Sequence, residues 1–281
     1  MTGMRGKTAI VTGATSGLGR AVVAALAERG LRVLVHGRDG QRVGSLVEEL
    51  RSAGGAAEPF VADLASLAQV RLLADRVRAE CPALHVLINN AGIGFGPPPQ
   101  TTREVSADGH ELRFAVNYLA PVLLARSLTP LLSASAPARV VNVASAGQAP
   151  VDFDDIEFTS HYNGTEAYRR SKFALAAFTI DLGDELRGAG VTVNCLHPAT
   201  FMDTGMVRDA GVTPWASVAE GVPPLLNLAI GASGAQCTGE YFDGTQRAKA
   251  HPGVYDEDVR ARLRNLTDAL LASFLGASRN H

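Results

Sequence analysis

The chain has 281 residues, a formal net charge of −2, and 46% hydrophobic against 19% charged residues. A chain of this length and composition folds around a substantial core, which excludes intrinsic disorder. The near-neutral charge excludes a surface that attracts nucleic acid or acidic membranes over its whole extent, so no nucleic-acid partner is predicted.

Short apolar runs alternate with longer amphipathic segments along the chain. The runs, which are typical of buried strands, lie at residues 8–12, 31–36, 56–63, 85–89, 139–144, 191–197 and 239–242. The amphipathic segments, which predict helices, lie at residues 20–29, 41–52, 67–79, 106–132 and 166–187. This alternation predicts an α/β fold, a single Rossmann domain over residues 1–281 with a doubly wound parallel sheet of about seven strands. Helices cover both faces, and a C-terminal extension follows at about 245–281.

Other features of the composition narrow the class of protein. Three cysteines without a CxxC pair predict no disulfide framework, and seven histidines without metal-ligand spacing predict no metal site. The sequence begins without an apolar leader, and no stretch approaches about 18 uninterrupted apolar residues. We therefore expect no membrane anchor and a cytoplasmic location.

A glycine-rich turn follows the first predicted strand and precedes the first predicted helix. Glycines there allow a tight turn and a close approach of the backbone to a pyrophosphate, which the helix N-terminus attracts. A glycine turn kept only for packing is the alternative, but its place in a βαβ unit favours dinucleotide binding. The candidate residues are Gly13, Thr15, Ser16, Gly17, Leu18 and Gly19.

Four further motifs follow the G-x-x-x-G-x-G turn in order, and together they resemble the short-chain dehydrogenase/reductase family. They are Asn89-Asn90-Ala91-Gly92, Asn117, Ser145 and the YxxxK motif of Tyr168 and Lys172. Residues 140–197 resemble the retinol-dehydrogenase-like branch in VNVASAG, DFDDIEF, AYRRSK and GVTVNCLHP. The resemblance covers about the first 200 residues.

The resemblance implies a nicotinamide cofactor and residues that contact it. Asp63 and Leu64 would flank the adenine, while Asn90, Ala91, Gly92, Tyr168, Lys172, Pro198 and Thr204 would line the rest of the cleft. At the end of the second strand, Gly37 stands where NAD-dependent members carry an acid, and Arg38 could pair with a 2′-phosphate. NADP(H) is therefore the predicted cofactor. NAD(H) stays open, because Asp39 is close by and Arg38 could be a solvated loop charge.

The predicted catalytic set is Asn117, Ser145, Tyr168 and Lys172. Tyr168 and Lys172 are four residues apart on one helix, so they face the same side. A nearby ammonium lowers the pKa of a phenol, which makes the phenol a useful acid or base. Ser145 could donate to a substrate oxygen, and the resemblance gives Asn117 a role in a proton relay. Taken singly, these residues could be a helix-surface pair, a turn serine and a buried amide.

The resemblance implies an NADP(H)-dependent oxidoreductase that interconverts a carbonyl and a primary or secondary alcohol. Pro198-Ala199 departs from the family's Pro-Gly, and residues at about 200–230 resemble its substrate lid. Side chains that could form an apolar pocket for a bulky or lipophilic small molecule, or belong to the core, are Phe95, Phe153, Tyr162, Phe201, Met202 and Trp215.

Two other functions remain open: a nicotinamide-dependent epimerase or dehydratase, and a non-catalytic cofactor-binding regulator. The intact catalytic set argues against the regulator. The resemblance also implies a homodimer or homotetramer that assembles through the helices at 106–132 and 166–187.

Overall fold

A computed structural model describes residues 5–276, which are built around one eight-stranded sheet in the order β3-β2-β1-β4-β5-β6-β7-β8. The first seven strands are parallel, and β8 pairs antiparallel with β7. The strands are β1 Thr8–Val11, β2 Arg32–Gly37, β3 Ala56–Val61, β4 Val86–Asn89, β5 Ala138–Val143, β6 Val191–His197, β7 Glu240–Asp243 and β8 Gln246–Ala248.

The helices lie on both faces of this sheet, which confirms the doubly wound fold. They are α1 Gly17–Glu28, α2 Gly40–Ser52, α3 Leu67–Glu80, α4 Leu112–Phe114, α5 Ala120–Ala134, α6 Gly164–Glu185, α7 Gly205–Asp209, α8 Val218–Ala229, α9 Ala232–Gln236 and α10 Glu257–Leu275. One core lies between the sheet and α3, α5 and α6, and it extends to α10, which packs on these helices. The other lies between the sheet and α1, α2 and α8. Residues 1–4 and 277–281, the ends of the predicted domain and its extension, lie outside the described residues.

All seven predicted strands are present, and the sequence analysis missed only β8. Its residues Gln246–Ala248 are short and largely polar, because β8 is an edge strand that turns back from β7. Such a strand has no apolar run that could mark it.

The long helix predicted at 106–132 begins later than expected. Residues 106–111 form a turn, closed by a hydrogen bond from the Ser106 amide to the His110 carbonyl at 2.8 Å. Glu111 then caps α4 by accepting a hydrogen bond from the Phe114 amide at 2.7 Å. A π-helical turn, Ala115–Leu119, joins α4 to α5. The segment 112–134 is long and apolar enough to cross a membrane, but 78% of its most apolar window is buried in the protein, as in a core helix.

The C-terminal extension ends in α10, which packs against α6, α5 and α3. The Tyr118 hydroxyl donates to Thr267 Oγ1 at 2.7 Å, and Asp181 of α6 accepts from Arg260 and Arg264 at 2.8 and 2.9 Å. Helix α10 thus covers part of α5 and α6, and the self-association predicted through these helices stays a prediction.

Only the first half of the predicted lid lies over the sheet edge. Residues 218–229 form α8, which packs on α1 and contributes Leu225 and Leu228 to the core. Residues 200–216 contain the short helix α7 and a loop, and several of them reach the cleft described below.

Candidate active site

The glycine turn lies where β1 and β4 meet, at the point where the strand order reverses. Thr12 follows β1, and its Oγ1 accepts hydrogen bonds from the Asn90 and Ala91 amides, both at 3.0 Å. A Cβ at position 19 would lie 2.3 Å from the Gly13 carbonyl oxygen, so only glycine fits there. Ser16 at the start of α1 makes no capping bond with its side chain. The first amides of α1 are therefore available to an anionic group such as a pyrophosphate.

A cleft of about 800 Å³ opens over the carboxyl ends of the parallel strands. Every predicted cofactor residue lines it: Gly13, Thr15, Ser16, Gly17, Leu18, Gly19, Arg38, Asp63, Leu64, Asn90, Ala91, Gly92, Tyr168, Lys172, Pro198 and Thr204. The cleft and the uncapped helix together fit an elongated, charged dinucleotide. The contacts of these residues with a cofactor stay predictions.

Basic side chains flank the cleft beside the end of β2. The Asp39 carboxylate caps α2, accepting from the amides of Gln41 and Arg42 at 2.9 and 3.1 Å. Arg38 and Arg42 are exposed and line the cleft, and no carboxylate among residues 5–276 forms an ion pair with either. Asp39, which had kept NAD(H) open in the sequence analysis, is therefore the cap of α2.

His36, at the end of β2, is a cleft residue that the sequence analysis missed. Its Nδ1 accepts a hydrogen bond from the Gly13 amide at 3.3 Å, and its Nε2 lies 3.2 Å from the Ala62 carbonyl oxygen. Burial lowers the pKa of His36 to about 4, so the ring is neutral at pH 7. A neutral ring with its proton on Nε2 satisfies both contacts and fixes the glycine turn against β2.

The side chains of Ser145, Tyr168 and Lys172 meet in the same cleft. Ser145 follows β5, and its Oγ accepts a hydrogen bond from the Gly147 amide at 3.1 Å. Lys172 donates from Nζ to the Val143 carbonyl at 2.8 Å, and the same atom lies 5.8 Å from the centre of the Tyr168 ring. The arrangement places a hydroxyl donor, a phenol and an ammonium around one space.

Burial is the strongest influence on the two titratable groups of this set. It raises the pKa of Tyr168, which a hydrogen bond with the Ser145 side chain partly opposes. It lowers the pKa of Lys172 to about 8. The sequence analysis expected the ammonium to lower the phenol's pKa. The pKa of Tyr168 is raised instead, because burial outweighs the hydrogen bond with Ser145.

Asn117 lies on the π-helical turn, behind the cleft wall. Its Oδ1 accepts from the Ile93 amide at 2.7 Å, and its Nδ2 donates to the Ile93 carbonyl at 2.9 Å and to Ser171 Oγ at 3.0 Å. The side chain therefore ties the segment after β4 to α6. Its role in a proton relay stays a prediction.

The six candidate pocket residues separate into two groups. Phe95, Phe201 and Met202 line the cleft, together with Met206, Val207 and Val212, which the sequence analysis did not single out. The other three lie outside its lining. Phe153 packs beneath the Arg262 guanidinium, Tyr162 bonds to a buried Arg–Glu pair, and Trp215 is 73% exposed with its ring against Phe201.

The acidic segment DFDDIEF, residues 152–158, forms a loop with more than half of its residues partly buried. Asp155 accepts from the Thr159 and Ser160 amides at 2.7 and 3.0 Å, which closes a turn. Within residues 5–276, no group of three or more His, Cys, Asp or Glu side chains could hold a metal ion.

Comparisons with known proteins agree with this geometry. A family model described as short chain dehydrogenase matches residues 7–214. The chain is 35% identical over 295 residues to retinol dehydrogenase 14 of Mus musculus, covering 95% of this chain and 86% of that protein. A crystal structure of a Mycobacterium paratuberculosis protein has a TM-score of 0.78 at 27% identity, covering 96% of both chains. The Pseudomonas aeruginosa RhlG/NADP active-site complex has a TM-score of 0.69 at 30% identity, covering 85% of this chain and 94% of that one.

Proposed function

The chain belongs to the short-chain dehydrogenase family and is an NAD(P)-dependent oxidoreductase, and from that premise we propose a finer function. It uses NADP(H) to interconvert a carbonyl and a primary or secondary alcohol on a bulky or lipophilic small molecule. The observation that carries this proposal is the meeting of Ser145, Tyr168 and Lys172 in the cleft that the glycine turn opens.

The glycine turn and the start of α1 hold the pyrophosphate, and Asp63 and Leu64 border the adenine. When bound, the nicotinamide ring gives or accepts a hydride. The chain's own contribution is to orient the substrate and to move a proton.

Tyr168 transfers a proton to the substrate oxygen and acts as the general acid. Ser145 Oγ donates a hydrogen bond to the substrate oxygen and stabilises the charge that develops there. Because burial raises the pKa of Tyr168, the phenol stays protonated near pH 7 and can give its proton to that oxygen. Lys172 passes a proton from solvent back to Tyr168, Asn117 supports this relay by holding the segment after β4, and oxidation of an alcohol reverses these steps.

Charge beside the end of β2 supports NADP(H) over NAD(H). Arg38 and Arg42 line the cleft, while the Asp39 carboxylate is engaged in capping α2. A 2′-phosphate would meet two guanidinium groups there. The related Pseudomonas aeruginosa structure is described as an RhlG/NADP complex, which agrees with this choice.

Apolar side chains at the other end of the cleft support a lipophilic or bulky substrate. Phe95, Phe201, Met202 and Met206 contribute to the wall next to Tyr168 and the first half of the lid. The mouse relative named retinol dehydrogenase agrees with an apolar substrate class.

The test is a panel of aldehydes, ketones and alcohols followed by NADPH absorbance, with wild type beside Tyr168→Phe. We expect wild type to turn over bulky apolar members and Tyr168→Phe to lose at least a hundredfold in kcat, since a general acid contributes about 10²- to 10⁴-fold. NADPH binding, followed by its fluorescence, should change little. A fully active Tyr168→Phe contradicts the assignment.

The same panel separates the two alternative functions. Conversion of a substrate without net NADPH consumption favours an epimerase or dehydratase. NADPH binding without any conversion favours the regulator.

We propose that any self-association avoids the part of α5 and α6 that α10 covers. Light scattering, with cross-linking to map any interface, tests this proposal. An interface that includes α5 and α6 would contradict it. The cytoplasmic location stays a prediction.

A further inference from the structure

Arg113 is one of the largest fully buried side chains in the protein, with 2% of its surface exposed. It lies on α4, four residues before Asn117 and outside the catalytic set. Burying a guanidinium costs free energy unless most of its donors are satisfied. Its partners therefore indicate what the side chain does.

The guanidinium holds the backbone that follows β4. Nε donates to the Gly94 carbonyl at 2.7 Å and Nη2 to the Phe95 carbonyl at 3.0 Å. Asn117, one turn along the helix, holds Ile93 in the same way. Two side chains on one helix face thus hold three consecutive residues of the cleft wall.

The absence of a side chain at Gly96 leaves space for the Arg113 guanidinium. Gly96 has a φ of +83°, and a Cβ there would lie 2.7 Å from Nη2 of Arg113. A side chain at this position would be strained and would displace the guanidinium.

The remaining nitrogen of the Arg113 guanidinium, Nη1, contacts a glutamate and a tyrosine. Nη1 donates to the Tyr162 hydroxyl at 2.7 Å and lies 3.4 Å from Glu111 Oε1. The Tyr162 hydroxyl in turn donates to Glu111 Oε1 at 2.8 Å. Burial and the Glu111 charge raise the pKa of Tyr162, so this hydroxyl keeps its proton. The three side chains bond to one another and are called here the Arg113 clamp (Glu111, Arg113 and Tyr162); the exposed Glu104 carboxylate lies 4.0 Å from Nη1.

The segment that the clamp holds carries an aromatic ring that contacts Tyr168. Phe95 stands edge-on to Tyr168, with the ring centres 4.8 Å apart, and both residues line the cleft. A small shift of the Phe95 backbone would therefore move a wall of the space in which Tyr168 meets the substrate.

We propose that Arg113 is a positioning residue for the reaction: through its bonds to Gly94 and Phe95 it sets the Phe95 ring against Tyr168. This inference rests on the proposed function for its kinetic consequences, but not for the contacts themselves. A buried ion pair that only stabilises the fold is the competing explanation.

Two variants weaken the clamp in different ways. Arg113→Lys keeps a positive charge beside Glu111 but loses the planar fork that reaches two carbonyls. Tyr162→Phe keeps both charges and the ring but removes two hydrogen bonds. The second variant keeps the test decisive if the first does not fold.

The matched control is Arg139→Lys. Arg139 also donates to two backbone carbonyls, those of Leu228 and Gly231 at 3.2 and 2.7 Å, but it does not line the cleft. It should leave kcat unchanged.

The experiment measures kcat on the best panel substrate, the Kd for NADPH, and hydrogen exchange of the peptide covering residues 92–96. We expect Arg113→Lys to lower kcat by roughly tenfold to a hundredfold, and Tyr162→Phe by less. The Kd for NADPH should stay within about twofold, because the glycine turn lies elsewhere. Exchange in residues 92–96 should rise in both variants and not in the control.

A double-variant cycle separates positioning from stability. Phe95→Leu should lower kcat by itself, and Arg113→Lys should add little to it, because both changes act through one contact. Additive effects on kcat, or a folded Arg113→Lys with wild-type kcat, would overturn the proposal.

Failure of the proposed function can be distinguished from failure of the positioning proposal. If wild type turns over no member of the panel, that function fails while the exchange measurement still decides the positioning claim. Unchanged exchange in both clamp variants would then overturn it.

Discussion

Arg38 and Arg42 are the residues that we expect to select NADP(H) over NAD(H). A charge-assisted hydrogen bond contributes about 1.5–3 kcal/mol, which corresponds to roughly tenfold or more in affinity. We expect Arg38→Ala and Arg42→Ala each to raise KM for NADPH about tenfold and to leave KM for NADH within about twofold. The measurement is initial rates with both cofactors.

Arg51→Ala is the matched control for that pair. Arg51 lies on the same helix, α2, but its Nε donates to the Ala57 carbonyl at 2.8 Å, outside the cleft. Equal losses with both cofactors, or a wild-type preference for NADH, would contradict the assignment of NADP(H).

Lys172 should make the stability of the cofactor-free protein depend on pH. Its pKa falls from 10.5 to about 8 on folding, because the ammonium is buried. Between these values the unfolded chain holds the proton and the native protein has released it, so stability rises with pH. Below pH 8 both states are protonated and the cost of burying the charge is fully present.

The comparison variant for this effect is Lys172→Met, which cannot titrate. The free energy of unfolding of wild type minus that of the variant should increase by on the order of 3 kcal/mol between pH 8 and 10.5. Urea unfolding across that range measures it, and taking the difference cancels the tyrosines and cysteines common to both proteins. A difference that stays constant with pH would refute the shifted pKa.

Individual site residues could be predicted from the sequence where they belong to short local motifs. Ser145, Tyr168 and Lys172 could be found because their spacing is itself the signal. His36 and Arg113 could not, because their partners come from separate segments: His36 contacts Gly13 and Ala62, and Arg113 contacts Gly94 and Phe95. For Arg113 the one signal in the sequence is a charged residue within the apolar segment 112–134.

Among the elements, α10 has packing that the sequence analysis did not foresee. Thr267 Oγ1 donates to the Leu263 carbonyl at 2.7 Å and accepts from the fully buried Tyr118 hydroxyl. We expect Thr267→Val to lower the free energy of unfolding by about 1–3 kcal/mol, because it leaves that hydroxyl without an acceptor. Urea unfolding at constant pH is the measurement.

The control for α10 is the double variant Tyr118→Phe/Thr267→Val. It removes both partners, so it should cost less than the sum of the two single changes. A Thr267→Val protein as stable as wild type would show that the contact between α10 and the helices beneath it contributes nothing.

Element boundaries were predictable where a local signal was strong. Helix α2 was predicted to begin at residue 41 and begins at Gly40, because Asp39 caps it. The helix predicted from residue 106 begins at Leu112, because a turn at residues 106–110 and the Glu111 cap compete with helical pairing. The second half of the predicted lid is helix α8 instead. Its apolar face packs on α1 and belongs to the core, which a local pattern does not show.

For the whole molecule, the sheet order accounts for the site. The carboxyl ends of β1, β4, β5 and β6 lie side by side, so residues from four distant segments reach one cleft. Alternating strands and helices predicted this arrangement, since parallel strands with right-handed crossovers bring their carboxyl ends to one edge. The packing of α10 and the clamp on residues 94–95 depend on long-range contacts that no local pattern encodes.

The central claim, direct hydride transfer between NADPH and a carbonyl in this cleft, is tested by isotope labelling. NADPH deuterated at the transferable C4 position is incubated with wild type and the best carbonyl of the panel, and the product alcohol is analysed by mass spectrometry. We expect one deuterium on the carbinol carbon for each NADPH consumed, and almost no product with Tyr168→Phe. Product without deuterium, or conversion without NADPH consumption, would contradict it.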